Sequence, residues 1–235
     1  MFQFKQFRIE QDRCAMKVGT DGVLLGAWTP VDQQPYSILD IGAGTGLIAL
    51  MLAQRSFAEQ IDALEIDEDA YEQAVDNFES SPWNDRLFCY HAALDEFAEE
   101  IEDEYDLIVS NPPFYTDTYH SQNEQRDLAR FEDAMPFEEL VEAASVLLSE
   151  AGVFSVIIPF KEETRFIDLA KESDLYPFKI TRVKGTPTTE VKRSLIAFSR
   201  NETLHPETDE LIIETARHQY TPEYTELTKD FYLKL

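Results

Sequence analysis

The chain has 235 residues, 43% apolar and 12% aromatic, enough for one sizeable core and of ordinary globular composition. Its formal net charge of −26 argues against a uniformly basic nucleic-acid or anionic-membrane binder. The longest apolar stretch, Leu47 to Ala53, falls far below the ~20 residues of a membrane span. Two cysteines, Cys14 and Cys89, and four scattered histidines lack metal-ligand spacing, so no metal is expected and the thiols are read as reduced. Residues 1–10 alternate Phe with Gln, Lys and Arg and no apolar run follows, which reads as a chain without a secretory leader, hence cytoplasmic. The charge is uneven. Residues 58–145 hold 26 Asp/Glu against three Lys/Arg, whereas residues 178–200 hold six Lys/Arg against one acid, so a locally basic face survives.

In chain order, Thr20 or Asp21 is placed to cap a helix over Val23 to Trp28. Residues 37–41 form a short apolar run, read as a buried strand, followed by glycines and a helix from Leu47 to Gln54. Residues 60–66 read as a second strand, and 67–78 as a helix with acids in its first turn, where the helix dipole favours them. A weak strand at 87–90, a short acidic helix at 95–101 and a strand at 106–110 come next. Residues 136–149 form an amphipathic helix with Pro near its start, followed by a strand at 152–158 and a helix at 161–172. Strands alternating with helices indicate a mostly parallel, doubly wound α/β sheet covered on both faces. Two runs, 178–183 and 195–199, separated by Lys184-Gly-Thr-Pro-Thr, then read as an antiparallel hairpin, making seven strands. Residues 211–214 suggest a further short strand and 222–232 a closing helix. The polar stretch 115–133 has no period and reads as a substrate loop.

The chemistry concentrates at two strand ends. Asp40-Ile-Gly-Ala-Gly-Thr-Gly46 joins the first apolar strand to its helix, and Gly42, Gly44 and Gly46 allow a sharp turn and close approach of a ligand. Glu65, 21 residues after Gly44, ends the next strand, where an acid can hydrogen-bond a ribose diol. The relaxed dinucleotide pattern is present as Gly44-Thr-Gly46-Leu-Ile-Ala49. The acid-x-G-x-G-x-G pattern of an S-adenosylmethionine loop is complete, and Asp40 suits the donor's amino group while repelling a pyrophosphate.

The second strand end is Ser110-Asn111-Pro-Pro-Phe-Tyr115, 65 residues beyond Gly46 at its Asn. An exocyclic amine on a nucleobase is a poor nucleophile because its lone pair is delocalised into the ring. Two acceptors that hold its N–H groups aim that lone pair. Asn111 offers a side-chain carbonyl, and Pro112 a backbone carbonyl whose direction the Pro112-Pro113 pair fixes. Phe114 offers a ring face to the base.

Together the two motifs resemble the class I S-adenosylmethionine-dependent methyltransferases of amino groups, whose motif reads N/D-P-P-Y/F/W. The resemblance implies a Rossmann-like fold in one domain over 1–235, with residues 1–36 packing beside the donor site and 177–235 supplying the hairpin and C-terminal elements. It implies Asn111, Pro112 and Phe114 as catalytic residues. Asp40, Gly42, Gly44, Gly46 and Glu65 are the implied donor contacts, with Thr20 and Asp21 close by. The family's third motif usually supplies an acid to the donor adenine. Here Ala92 and Ala93 stand in its place, so the contact at Ala92 is expected through backbone groups.

The motif does not name its amine: adenine, cytosine, a ribosomal RNA base, DNA adenine or a protein glutamine are all compatible. Residues 4–28, above all Lys17-Val-Gly-Thr-Asp-Gly-Val-Leu-Leu-Gly-Ala-Trp28, and the ending 220–232 resemble bacterial methyltransferases that modify adenine 37 at N6 in a valine tRNA. That resemblance implies tRNA as partner. An anticodon-loop adenine would be unstacked onto aromatic faces, for which Phe114, Tyr115 and Tyr119 are candidates, beside Pro113. The hairpin cations Lys184, Lys192 and Arg193, with Lys179, Arg182 and Arg200, would meet phosphates. A dinucleotide-dependent oxidoreductase and a non-catalytic RNA-binding module are the readings from other classes.

Overall fold

The structure is a computed structural model describing residues 1–113 and 135–234. Two short strands, β1 (Phe2–Gln3) and β2 (Arg8–Ile9), pair with each other and precede helix α1 (Thr20–Trp28). There follow β3 (Ser37–Ile41), α2 (Leu47–Arg55), β4 (Gln60–Glu65), α3 (Glu68–Glu79), β5 (Leu87–His91), α4 (Leu94–Glu100) and β6 (Tyr105–Ser110). Beyond residue 134 come α5 (Phe137–Leu147), β7 (Leu148–Pro159), a 3-10 turn (Phe160–Glu162) and α6 (Glu163–Glu172). The chain continues through β8 (Tyr176–Lys184), β9 (Val191–Ser199), β10 (Glu207–Ile212), β11 (Glu214–Ala216), β12 (Gln219–Tyr220) and α7 (Pro222–Thr228).

The central sheet runs β10-β8-β9-β7-β6-β3-β4-β5. Its pairs are parallel except those made by β9, which is antiparallel to both β7 and β8. The mostly parallel sheet with its antiparallel hairpin is the expected one, but among the described residues it has eight strands, not seven. The eighth is β10, pairing parallel with β8 from Glu207 to Ile212, where the sequence suggested only a short strand at 211–214. Its first four residues are exposed and three are acidic, so it carries none of the apolar run that marks an inner strand. Charge on such an edge discourages further strand pairing.

β3 is buried along its whole length, as a central parallel strand must be. Its alternate residues feed two cores. Ile38 joins the core under α1, α2 and α7, with Phe4, Phe7, Ile9 and Phe231, while Leu39 and Ile41 join the core under α4, α5 and α6. α1 is buried from Gly22 to Trp28, so it packs on all sides rather than showing an amphipathic stripe. A Cβ at Gly22 would lie 3.1 Å from Leu47, and one at Gly26 2.8 Å from Met51, so two small residues let α1 lie directly on α2. The expected side-chain cap on α1 is absent: Gly19 holds the cap position without a side-chain bond, and Thr20 is the first helical residue. The last helix stops at Thr228 rather than 232, because Phe231 turns into the core and its carbonyl accepts from the Lys5 N–H.

Candidate active site

The crevice lies at the carboxyl ends of the parallel strands, where β3 and β6 run side by side in register, Ile41 opposite Ser110. Past Ile41 the backbone turns through Gly42, Gly44 and Gly46 at φ +71, +56 and +75. These values are costly for any residue with a Cβ. A Cβ at Gly42 or Gly44 would meet nothing within 4 Å, so that backbone faces open space, whereas one at Gly46 would meet the Phe78 ring. The first two glycines therefore form a cradle and the third a packing contact with α3.

Asp40 lies beneath the cradle, fully buried. One carboxylate oxygen accepts from the Ala49 N–H in α2 at 3.0 Å, and the other has no hydrogen-bond partner among the described residues. Burial pushes this carboxyl up to about 7, against the pull of the Ala49 N–H and with the charge of Glu65 adding to the rise. Glu65, at the end of β4, accepts from the Gly44 N–H at 2.7 Å with one oxygen and from the Ile66 and Asp67 N–H groups at 3.0 Å with the other. A carboxylate has about four acceptor sites, so capacity remains for a diol. Beside it Ile66 exposes 59% of its surface, and the Tyr71 and His91 rings stack at 5.2 Å. Ala92 follows β5 at this same end, half-buried.

This chemistry fits S-adenosylmethionine. A buried carboxylate oxygen without a partner suits a cationic amino group, the open glycine faces suit a close ligand, and Glu65 with Ile66 suits a nucleoside. A pyrophosphate would instead meet two carboxylates.

Asn111 and Pro113 are half-buried and Pro112 is buried, immediately after β6. Phe114 and Tyr115, with Tyr119 and the 115–133 loop, lie outside the described residues. Three other side chains escaped the sequence reading. Ser110 is fully buried and donates from Oγ to the Ile41 carbonyl at 2.9 Å, tying the two strand ends that carry the motifs. Asn77 accepts from the Glu10 N–H and donates to the Glu10 and Thr45 carbonyls. Gln73 accepts from the Asp12 and Arg13 N–H groups. The only signal for these two was a pair of polar residues, four apart, on the inward face of α3.

The basic hairpin is largely committed internally. Arg182 pairs with Glu163 at 2.6 Å, Lys184 with Glu210 at 2.8 Å and Arg193 with Asp21 at 2.8 Å. Arg200 donates to the Ser145 and Leu148 carbonyls, and Lys179 lies 5.0 Å from the Trp28 ring centroid. Lys192 is exposed, with no ion pair among the described residues. Asp21 is thus joined to the hairpin, and Thr20 is exposed. Both cysteines are free; burial pushes the Cys14 thiol up to about 11 and the Cys89 thiol up to about 12.

Sheet order and loop placement are those of the class I methyltransferases. The family described as "Methyltransferase small domain" matches residues 28–166. Solved structures agree on the fold: a predicted O-methyltransferase from Agrobacterium tumefaciens superposes with a TM-score of 0.69 at 20% identity, covering 90% of this chain and 96% of its own. A curated relative from Flavobacterium johnsoniae named tRNA1(Val) (adenine(37)-N6)-methyltransferase is 74% identical over 235 residues, all of both chains. Relatives of that name from Flavobacterium psychrophilum and Bacteroides fragilis are 73% and 47% identical, covering all of this chain and 100% and 98% of theirs. The chain belongs to this methyltransferase family, and S-adenosylmethionine is its methyl donor.

Proposed function

We propose that the chain transfers a methyl group from S-adenosylmethionine to N6 of adenine 37 in the anticodon loop of tRNA1(Val). The observation that carries this is the register of β3 and β6, which sets Asn111-Pro112 beside the glycine cradle in a chain whose full-length relatives bear that name. Bound in the cradle, the donor supplies an electrophilic methyl on a sulfonium. Asp40 and Glu65 hold its two ends, and Ile66 offers an apolar face to its base. The Asn111 side-chain carbonyl and the Pro112 carbonyl accept the two N6 hydrogens and aim the lone pair. The proton leaves after transfer, so the rate rests on orientation rather than on a strong base.

The test is labelled methyl transfer to a tRNA1(Val) transcript and to one carrying guanosine at position 37. Transfer to the first alone is expected; equal transfer to both, or transfer only to ribosomal RNA or a protein glutamine, overturns the reading. Ser110 should matter as a positioning residue. Ser110→Ala removes the tie to Ile41, so chemical denaturation should show a loss of about 1 kcal/mol. Turnover should fall roughly tenfold or more through misplacement of Asn111, at unchanged KM for tRNA. Unchanged turnover would make Ser110 a fold residue only.

A further inference from the structure

A second surface stands at the mouth of the same crevice. Phe160 follows β7 directly and opens the 3-10 turn, and an apolar ring 38% exposed there is not core. The Arg182 guanidinium lies 5.5 Å from its centroid. That guanidinium is not free to swing: its Nε and Nη2 donate to both oxygens of Glu163, at 2.6 to 3.2 Å. Glu163 is itself 6% exposed and also accepts from Ser194 Oγ at 2.5 Å. Residues from β8, β9 and α6 thus lock one planar group against one side of the ring. Because Glu163 neutralises it, the pair offers a braced aromatic face rather than a phosphate site.

Its position matters. Ser110 pairs with Val156 in the strand next to β6, so Asn111 is level with Ile157, and Phe160 comes three residues further on, just past the end of that strand. Three residues at the rise of a parallel strand, one strand spacing across, put the Phe160 backbone within roughly 11 Å of that of Asn111. That is about the reach of one neighbouring nucleotide in an unstacked RNA segment.

We infer that Phe160, braced by Arg182, is a stacking face for the unpaired base next to the adenine being methylated. The inference rests on the RNA-methylating function proposed above. Aromatic faces take unpaired bases without reading their sequence, each contact worth about tenfold in affinity or more. The face would hold the extruded loop open beside Asn111.

The experiment uses the full chain and an anticodon stem-loop RNA, with the nucleotide on either side of the target adenine replaced in turn by an abasic one. Phe160→Ala should raise KM for the intact RNA about tenfold, with kcat, donor affinity and melting temperature unchanged. Phe160→Trp should keep the wild-type KM. One abasic RNA should raise the wild-type KM equally, and Phe160→Ala should add nothing on that RNA. A variant KM equal to wild type, or a loss that persists on both abasic RNAs, overturns the inference. Wild-type protein that methylates no RNA overturns the function itself; normal transfer with an indifferent Phe160 overturns only this face.

Discussion

Asn111→Ala is expected to lower kcat for tRNA methylation by roughly a hundred- to a thousandfold, with donor affinity unchanged within about twofold. The separation follows from the fold. Asn111 sits at the end of β6, whereas the donor cradle belongs to β3 and β4, so truncating it removes an acceptor for the amine and leaves the glycine backbone untouched. Asn111→Asp distinguishes how the residue acts. An aspartate keeps the acceptor oxygen and loses the amide N–H donors, so a variant that retains most of its turnover identifies the carbonyl as the working group. Single-turnover transfer with saturating donor, beside equilibrium donor binding, measures both quantities. Full activity in Asn111→Ala would remove the residue from the mechanism.

The second large effect is at Asp40. Burial holds its carboxyl near 7, far above the ordinary value of 3.8. The sign follows from proton counting: between these values the folded chain holds a proton that the unfolded chain has released. Stability of the donor-free protein therefore falls as pH rises through that window, and the cost is complete above about 7. Asp40→Asn removes the ionisation and keeps an acceptor for the Ala49 N–H. The variant should melt higher than wild type at pH 8, by roughly 5 °C, with little gain at pH 4. Its affinity for S-adenosylmethionine should drop roughly ten- to a hundredfold at pH 8, since the donor's cationic amino group loses its carboxylate. Wild-type affinity should rise with pH up to about 7, and the variant's should not. Undiminished binding by Asp40→Asn would leave Asp40 as a tie between β3 and α2 alone.

Local pattern announced some parts of the molecule, and long-range pairing decided the rest. β3 and β6 were legible because a central parallel strand needs a continuous apolar run, and glycines or prolines end each run where the site begins. Glu65 was legible from its distance to the loop, though its grip on the Gly44 N–H was not. β10 is longer than its sequence suggests because an edge strand with Glu207, Asp209 and Glu210 has no apolar signature. The ion pairs of Arg182, Lys184 and Arg193 are invisible in the local sequence because their carboxylate partners, Glu163, Glu210 and Asp21, come from other elements. Substituting Arg193 would therefore break a pair with α1 as well as alter charge, which leaves Lys192 as the cleaner probe of a phosphate contact. Gln73 and Asn77 leave no local signal of their partners for the same reason. Buried 1% and 2% exposed, they bond to backbone some 60 residues away, which no local pattern records.

That pair of amides has a consequence for how the protein moves. Asn77 bonds the backbone of Glu10 and of Thr45 at once, and Phe78 beside it fills the space at Gly46. The first dozen residues and the donor cradle thus share one support on α3. We expect them to open as one cooperative unit. Amides in residues 10–13 and 42–46 should then trade protons with solvent at a common rate, and a ligand that settles in the cradle should slow exchange in the N-terminal segment as well.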